Sequence, residues 1–165
     1  SREPVDAFLD LLEDERDGVS YIGHAMQESD VATVLAHPLV CVGSDGYVQA
    51  ARADAASKPH PRSFGTAARV LGRYCRELGT FDLPTAVKKL SAMPAQRAGL
   101  VERGRVLPGF HADLVVFDPE RVADRATFAE PWLVPIGIDH VIVAGRVVVR
   151  NGALTGERPG SVLRA

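Results

Sequence analysis

Leu39-Val40-Cys41-Val42-Gly43-Ser44-Asp45-Gly46 is the stretch on which the reading of this chain turns. An uninterrupted apolar run of this length predicts a strand buried on both faces, as in a parallel sheet. It ends in an acid set between glycines. The C-terminal lip of such a strand is where barrel and open-sheet enzymes carry their chemistry, and glycine lets backbone and ligand approach closely. After a loop of small residues, His60-Pro61-Arg62-Ser63-Phe64-Gly65-Thr66 opens a helical pattern and delivers a guanidinium toward the same mouth. One carboxylate and one arginine at a strand's end suggest an active site, but only part of one.

The flanking segments keep the same rhythm. Upstream, Val5, Phe8, Leu9 and Leu12 fall at helical spacing behind Pro4, and Asp17-Gly18 closes that helix. Val19–Ile22 is a short expected strand. Ser29 is the expected N-cap of a helix with Val31, Val34 and Leu35 on one side, stopped by His37-Pro38. This helix–strand alternation is that of a parallel sheet or barrel. Downstream, Phe64, Ala68, Leu71, Cys75 and Leu78 share one helical face before Gly79. Asp82 caps the next helix, with Pro84 in its first turn and Ala86, Val87, Leu90 and Met93 facing inward. A short helix begins at Pro94 and ends at Gly99. From about residue 104 the pattern becomes β-rich, with strands expected at Asp113–Asp118, Ile138–Val143 and Arg146–Arg150. Ile138, His140 and Ile142 share one face of the second of these, and one of its two faces is expected to be core. Alanine resists positive φ, so Ala144-Gly145 is expected as a type I turn with a G1 bulge. The segment Phe128–Trp132 reads as an irregular connection packed by its aromatics.

Gly43-Ser44-Asp45-Gly46 followed by His60-Pro61-Arg62-x-x-Gly65-Thr66 resembles the last barrel strand of the N-acyl-D-amino-acid deacylases (D-aminoacylases), which are metal-dependent amidohydrolases. Met93-Pro94-Ala95-x-x-x-Gly99-Leu100, and Arg103-Gly104-x-x-x-Pro108-Gly109-x-x-Ala112-Asp113 running on to Asp118, resemble the C-terminal end of amidohydrolases more widely. The likeness extends from Pro4-Val5-Asp6 to Thr155-Gly156-x-Arg158-Pro159-Gly160. It implies an α/β fold: residues 1–100 as the last βα units of a (β/α)8 barrel, and 101–165 as strands of the small β-sandwich that accompanies it. Such enzymes are much longer than 165 residues, so the chain resembles the C-terminal third of one. A cyclic-imide or hydantoin hydrolase (dihydropyrimidinase-like) shares Asp45 and the tail pattern, but His60-Pro61-Arg62 favours the deacylase. A non-catalytic assembly subunit needing a partner chain is the alternative from another class.

Asp45 taken with its immediate neighbours is equally a turn former; the preceding strand and the following His60-Pro61-Arg62 favour function. The resemblance makes it the catalytic proton shuttle beside a divalent metal, such as zinc, and a possible metal ligand. Arg62 alone reads as a surface arginine, although its planar fork suits a carboxylate; the resemblance assigns it the substrate's α-carboxylate. His60 is either a loop histidine stiffened by Pro61 or a residue shaping the pocket. Ser44, Gly46 and His60 are the substrate-binding neighbours expected with Arg62. The loop Tyr47–Lys58 is alanine-rich and longer than the family's, which bears on the reach of Arg62. His24 has no second ligand at a useful spacing, His37 before its proline reads as structural, and His111 and His140 in the β-rich tail read as exposed or packed. The His-x-His pair of the family's first strand does not occur in this chain. A catalytic zinc takes three or four protein ligands. The segment alone is therefore expected to hold no metal tightly, to be inactive, and to self-associate through uncovered strand edges. The N-terminal part of the barrel would be its partner, and an N-acyl amino acid its small-molecule substrate.

Composition agrees with a globular domain: 46% hydrophobic residues and a net charge of −2. No basic run points to nucleic acid, and no apolar stretch approaches the roughly 20 residues that span a bilayer. Cys41 and Cys75 make no disulfide framework and are read as small buried hydrophobes in a reducing, cytoplasmic compartment. The residues after Ser1 carry no signal-peptide pattern.

Overall fold

The computed structural model describes residues 3–16, 18, 23, 25–48 and 58–163. The expected strand Val19–Ile22, Asp17, His24 and loop residues 49–57 lie outside the described residues. The chain divides into two compact units, 1–31 and 32–165.

In the first unit, α1 (Pro4–Asp14) starts at a proline whose missing N–H costs nothing in a first turn. The next helix, α2 (Glu28–Ala36), begins one residue before its expected cap. Gln27 takes that place: its carbonyl accepts from the N–H of Asp30, and its own N–H donates to Asp30 Oδ2 at 3.1 Å. This is the reciprocal logic of a capping box, and it moves Ser29 into the helix. His37-Pro38 ends α2 as the spacing requires.

Leu39–Val42 corrects the sequence reading. The segment pairs with no described strand: Leu39 is 84% exposed in a turn, and residues 40–42 are in no regular element. Its one backbone bond to another element runs from Val42 N–H to the carbonyl of Lys89, at 3.0 Å. A parallel strand takes its hydrogen bonds from neighbours on both sides, and no described segment supplies them.

The long helix expected after His60 is in two parts. α3 (Arg62–Arg69) is α-helical, but Val70–Glu77 continues it as a π-helix. The wider turn shifts the apolar face. Val70, Leu71 and Tyr74 are buried, whereas Cys75 is half-buried and Leu78 is 43% exposed. Positive φ at Gly79 then ends the helix as expected.

This helix packs through small residues. Gly65 and Gly72 face the connection 122–126, and Ala68 between them is buried; a Cβ at Gly72 would lie 2.6 Å from the carbonyl oxygen of Val122. Arg76 closes the contact by donating to the carbonyls of Pro119 (3.0 Å) and Val122 (2.7 Å), and Arg69 pairs with Asp124 at 3.3 Å. Val122 is completely buried, which stabilises by roughly 1.5–3 kcal/mol. Gly137 lies against the same residue at φ +75, where any side chain would strike the Val122 backbone. Trp132 meets Phe64 edge-on at 5.7 Å, so the aromatic connection packs as expected.

α4 (Leu83–Leu90) is capped by Asp82, whose carboxylate accepts from the Thr85 N–H at 3.0 Å; the Thr85 hydroxyl first, and then this backbone bond, hold its pKa below the ordinary value. Ala86 is buried, but Val87 is 42% exposed and Lys89 turns inward instead. α5 (Ala92–Arg97) starts two residues before Pro94, and Gly99 follows it in the left-handed region.

The sheet is antiparallel throughout, in the order β1 (Leu114–Phe117), β2 (Ile138–Val143), β3 (Arg146–Arg150), β4 (Ala153–Leu154). β2 and β3 fall where the alternation places them. No face of β2 is fully buried: Asp139 is exposed and the other five residues are half-buried, and the pairing register shifts at Asp139 opposite β1 and at Val148 of β3. The β2–β3 turn is a further correction. Ala144 (φ 48) and Gly145 (φ 76) both have positive φ, as in a type I′ turn. A left-handed alanine costs about 1–2 kcal/mol. Hydrogen bonds from outside the hairpin offset it: Ala144 N–H donates to Asp113 Oδ1 (2.8 Å) and Gly145 N–H to the Ala112 carbonyl (3.0 Å). Arg103 pairs with the second oxygen of Asp113.

Candidate active site

Asp45 and Arg62 meet. Arg62 Nη2 lies 3.2 Å from Asp45 Oδ2, with 42% of the arginine side chain and 85% of the aspartate side chain exposed. The contact arises from two local devices. Asp45 adopts φ +50, which aspartate tolerates better than most residues, and Ser44 Oγ accepts the Gly46 N–H at 3.2 Å, turning the chain at the acid. Opposite, the His60-Pro61 step starts α3. His60 Nδ1 accepts the N–H of Arg62 at 3.1 Å, and the His60 carbonyl accepts that of Ser63. Two donors that a helix start leaves open are thereby satisfied, and the neutral His60 ring carries its proton on Nε2.

The loop and the helix touch at Gly46. A Cβ there would lie 2.8 Å from Ser63 Cα, and Ser63 Oγ accepts the Tyr47 N–H at 3.3 Å. Gly46→Ala should therefore push the loop off α3. We expect the Asp45–Arg62 separation in a crystal structure to open beyond about 4 Å and urea stability to fall by about 1–3 kcal/mol. An unchanged separation would show that this contact does not set the pair.

His60 stands beside the pair without bonding either charge. Its ring meets Phe128 edge-on at 5.0 Å, and Lys58 holds the same loop by donating to the Ala129 carbonyl at 2.9 Å. Its pKa lies below the ordinary 6.5, first because the ring is partly desolvated and then because of the Arg62 cation, with Asp45 opposing. Of the expected site residues, then, the structure joins Asp45 to Arg62, spends the Ser44 hydroxyl on the turn, packs Gly46 against Ser63 and makes His60 a helix cap. Sequence reasoning missed Ser63, Phe128 and Lys89. Phe128 left a signal as a packing aromatic of the connection 128–132, and Lys89 as a charge on the helical face of Ala86 and Met93.

The described residues do not make a metal site, since no three His, Cys, Asp or Glu side chains converge among them. Asp45 could give one donor. His37 is spent locally, accepting the Leu39 N–H on Nδ1 at 3.3 Å, and His111 is exposed. Cys41 and Cys75 are unpaired and half-buried rather than fully buried; partial burial, then Asp82, raises the Cys75 pKa against the opposing Arg76. Two shallow cavities, of about 280 and 240 Å³, share Leu100 and Arg103 in their walls, the first with His111 as well, and neither is lined by Asp45, His60 or Arg62.

Residues 7–149 match the model of the amidohydrolase family. The chain belongs to that family. This amidohydrolase chain is 47% identical to the D-aminoacylase of Alcaligenes xylosoxydans over 84% of its own length and 27% of the relative's. It is 45% identical to the N-acyl-D-glutamate deacylase of the same organism, over 85% and 27%. Among solved structures it is similar to the N-acyl-D-glutamate deacylase of Bordetella bronchiseptica, complexed with zinc and a phosphonate mimic of the tetrahedral intermediate. There the TM-score is 0.74 and the identity 46%, over 85% of this chain and 28% of that one. The likeness puts the chain in the α/β class. It spans about a quarter of the length of the relatives it matches. Among the described residues no helix is long and apolar enough to cross a membrane.

Proposed function

We propose that this chain is the C-terminal part of a metal-dependent N-acyl-D-amino-acid deacylase, holding the last βα units of its (β/α)8 barrel (residues 1–100) and strands of its β-sandwich (101–165). The observation that carries the reading is the Asp45–Arg62 pair at 3.2 Å: an acid able to move a proton beside a guanidinium able to hold a carboxylate. Water attacks the amide carbonyl, the C–N bond breaks, and a carboxylate and a D-amino acid leave. Asp45 accepts the proton that the attacking water loses and passes it to the departing nitrogen. Arg62 grips the substrate α-carboxylate through two parallel hydrogen bonds. In doing so it exchanges Asp45 for the substrate, which frees the acid at the moment the amide is in place. Ser44, Gly46 and His60 shape the mouth around them.

Zinc, when bound, would supply electrophilic polarisation and a water that ionises near neutral pH. Among the described residues Asp45 alone is placed to serve it, and the other ligands would come from the rest of the barrel. Exposed Leu39, Tyr47 and Val48 support a missing partner surface and self-association of the segment alone. The two unpaired thiols support a reducing, cytoplasmic setting.

The complete enzyme should hydrolyse N-acetyl-D-amino acids and spare their L enantiomers and hydantoins. The 165-residue segment, gel-filtered with zinc and analysed for metal, should carry no stoichiometric ion and turn over nothing. Turnover by the segment alone would overturn the division of labour, and hydantoin hydrolysis by the complete enzyme would overturn the substrate class.

A further inference from the structure

Lys89 is the one charged residue buried among those described, at 2% exposure. An ammonium is costly to bury unless its donors are satisfied. None of the described ion pairs includes it. Its Nζ instead donates to two backbone carbonyls, His37 at 2.6 Å and Val40 at 2.8 Å, and lies 5.9 Å from the centre of the Phe81 ring. Its own carbonyl accepts the Val42 N–H at 3.0 Å. One residue of α4 thus makes three hydrogen bonds to the segment that runs into Ser44-Asp45-Gly46.

We propose that Lys89 is a positioning residue for Asp45, clamping the entry to its turn as the Gly46–Ser63 contact clamps the exit. The inference rests on the reading of Asp45 as the proton shuttle. Between the two clamps, Gly43, Ser44 and Asp45 form a short span with Asp45 held in the left-handed region. On the entry side the lysine stem and its three bonds hold the chain up to Val42, three residues before the acid. Displacing catalytic groups by about 1 Å can cost on the order of 10²-fold in rate. Lys89 touches no reacting atom, and its effect has to pass through Asp45.

The test uses the complete zinc-loaded enzyme with an N-acetyl-D-amino acid, comparing Lys89→Met and Lys89→Arg in the native and Asp45→Asn backgrounds. Methionine keeps most of the stem but leaves both carbonyls without a donor; arginine keeps donors on a longer reach. With Asp45 present, each is expected to lower kcat by roughly 10–10²-fold while KM stays within roughly threefold. In the Asp45→Asn background the carboxylate is gone, so neither should lower kcat further, because residues acting as a unit are not additive. A native kcat in either folded Lys89 variant would overturn the proposal. So would a loss that multiplies fully with Asp45→Asn, or failure of both variants to fold, each marking a lysine that serves stability alone. If Asp45→Asn is itself fully active, the shuttle reading fails first and takes this inference with it. That result is distinct from an inactive Asp45→Asn with independent Lys89 effects.

Discussion

Replacing Asp45 by asparagine in the complete enzyme is expected to lower kcat by about 10²–10⁴-fold while leaving the fold and most of the bound zinc in place. The amide has the shape of the carboxylate but cannot accept the water's proton at neutral pH. The fold should tolerate the change because the pair with Arg62 is exposed, and exposed ion pairs contribute little to stability. Asparagine also tolerates the left-handed conformation observed at this position. The measurement is kcat with zinc content and a thermal melt on the same preparation. A kcat within roughly threefold of native, with zinc retained, would assign the proton transfer to another group.

Arg62→Lys should cost on the order of 10–10²-fold in kcat/KM on N-acyl-D-amino acids, the worth of a charge-assisted hydrogen bond lost from a bidentate grip. The charge remains and the fork geometry does not. Substrates whose α-carboxylate is amidated should suffer less, since they never engaged both nitrogens as a charge pair. Assaying both substrates with both enzymes separates binding from structure. Equal losses on acid and amide would make Arg62 a residue of the loop's architecture rather than the carboxylate anchor.

How much of this was legible in the residues depends on the range of the interaction. Asp82 as a cap, Gly79 as a stop, and β2 and β3 as strands were readable because each is decided within a few neighbours. Leu39–Val42 was not, because apolar continuity describes what a strand needs and says nothing of whether partners are at hand. The π-helical turn escaped for a related reason: the residues 64–78 fit an α-helical stripe, and packing against 122–126 overrides that local preference. Ala144 defied its own conformational bias because Asp113, far away in sequence, offsets the strain of the turn. At the site, the types and order of Asp45 and Arg62 announced a carboxylate and its counter-ion. The approach of Gly46 to Ser63 and the inward turn of Lys89 left weaker traces, since backbone proximity has no sequence pattern and a lysine usually stays in water.

The π-helical stretch has a consequence for how the pieces are phased. One end of this helix presents Arg62 to Asp45, and the other presents Arg76 to the carbonyls of Pro119 and Val122. In a continuous α-helix each residue advances the azimuth by roughly 100°, so two ends built for separate docking partners will in general be out of step. The wide turns at Val70–Glu77 absorb that error. They act as a vernier between Arg62 and the anchorage at Arg76, letting one rod satisfy two fixed bearings. Insertions or deletions within that stretch would therefore be felt as a rotation of Arg62 about the helix axis, although no residue of the stretch touches Asp45 in the described ion pairs and hydrogen bonds.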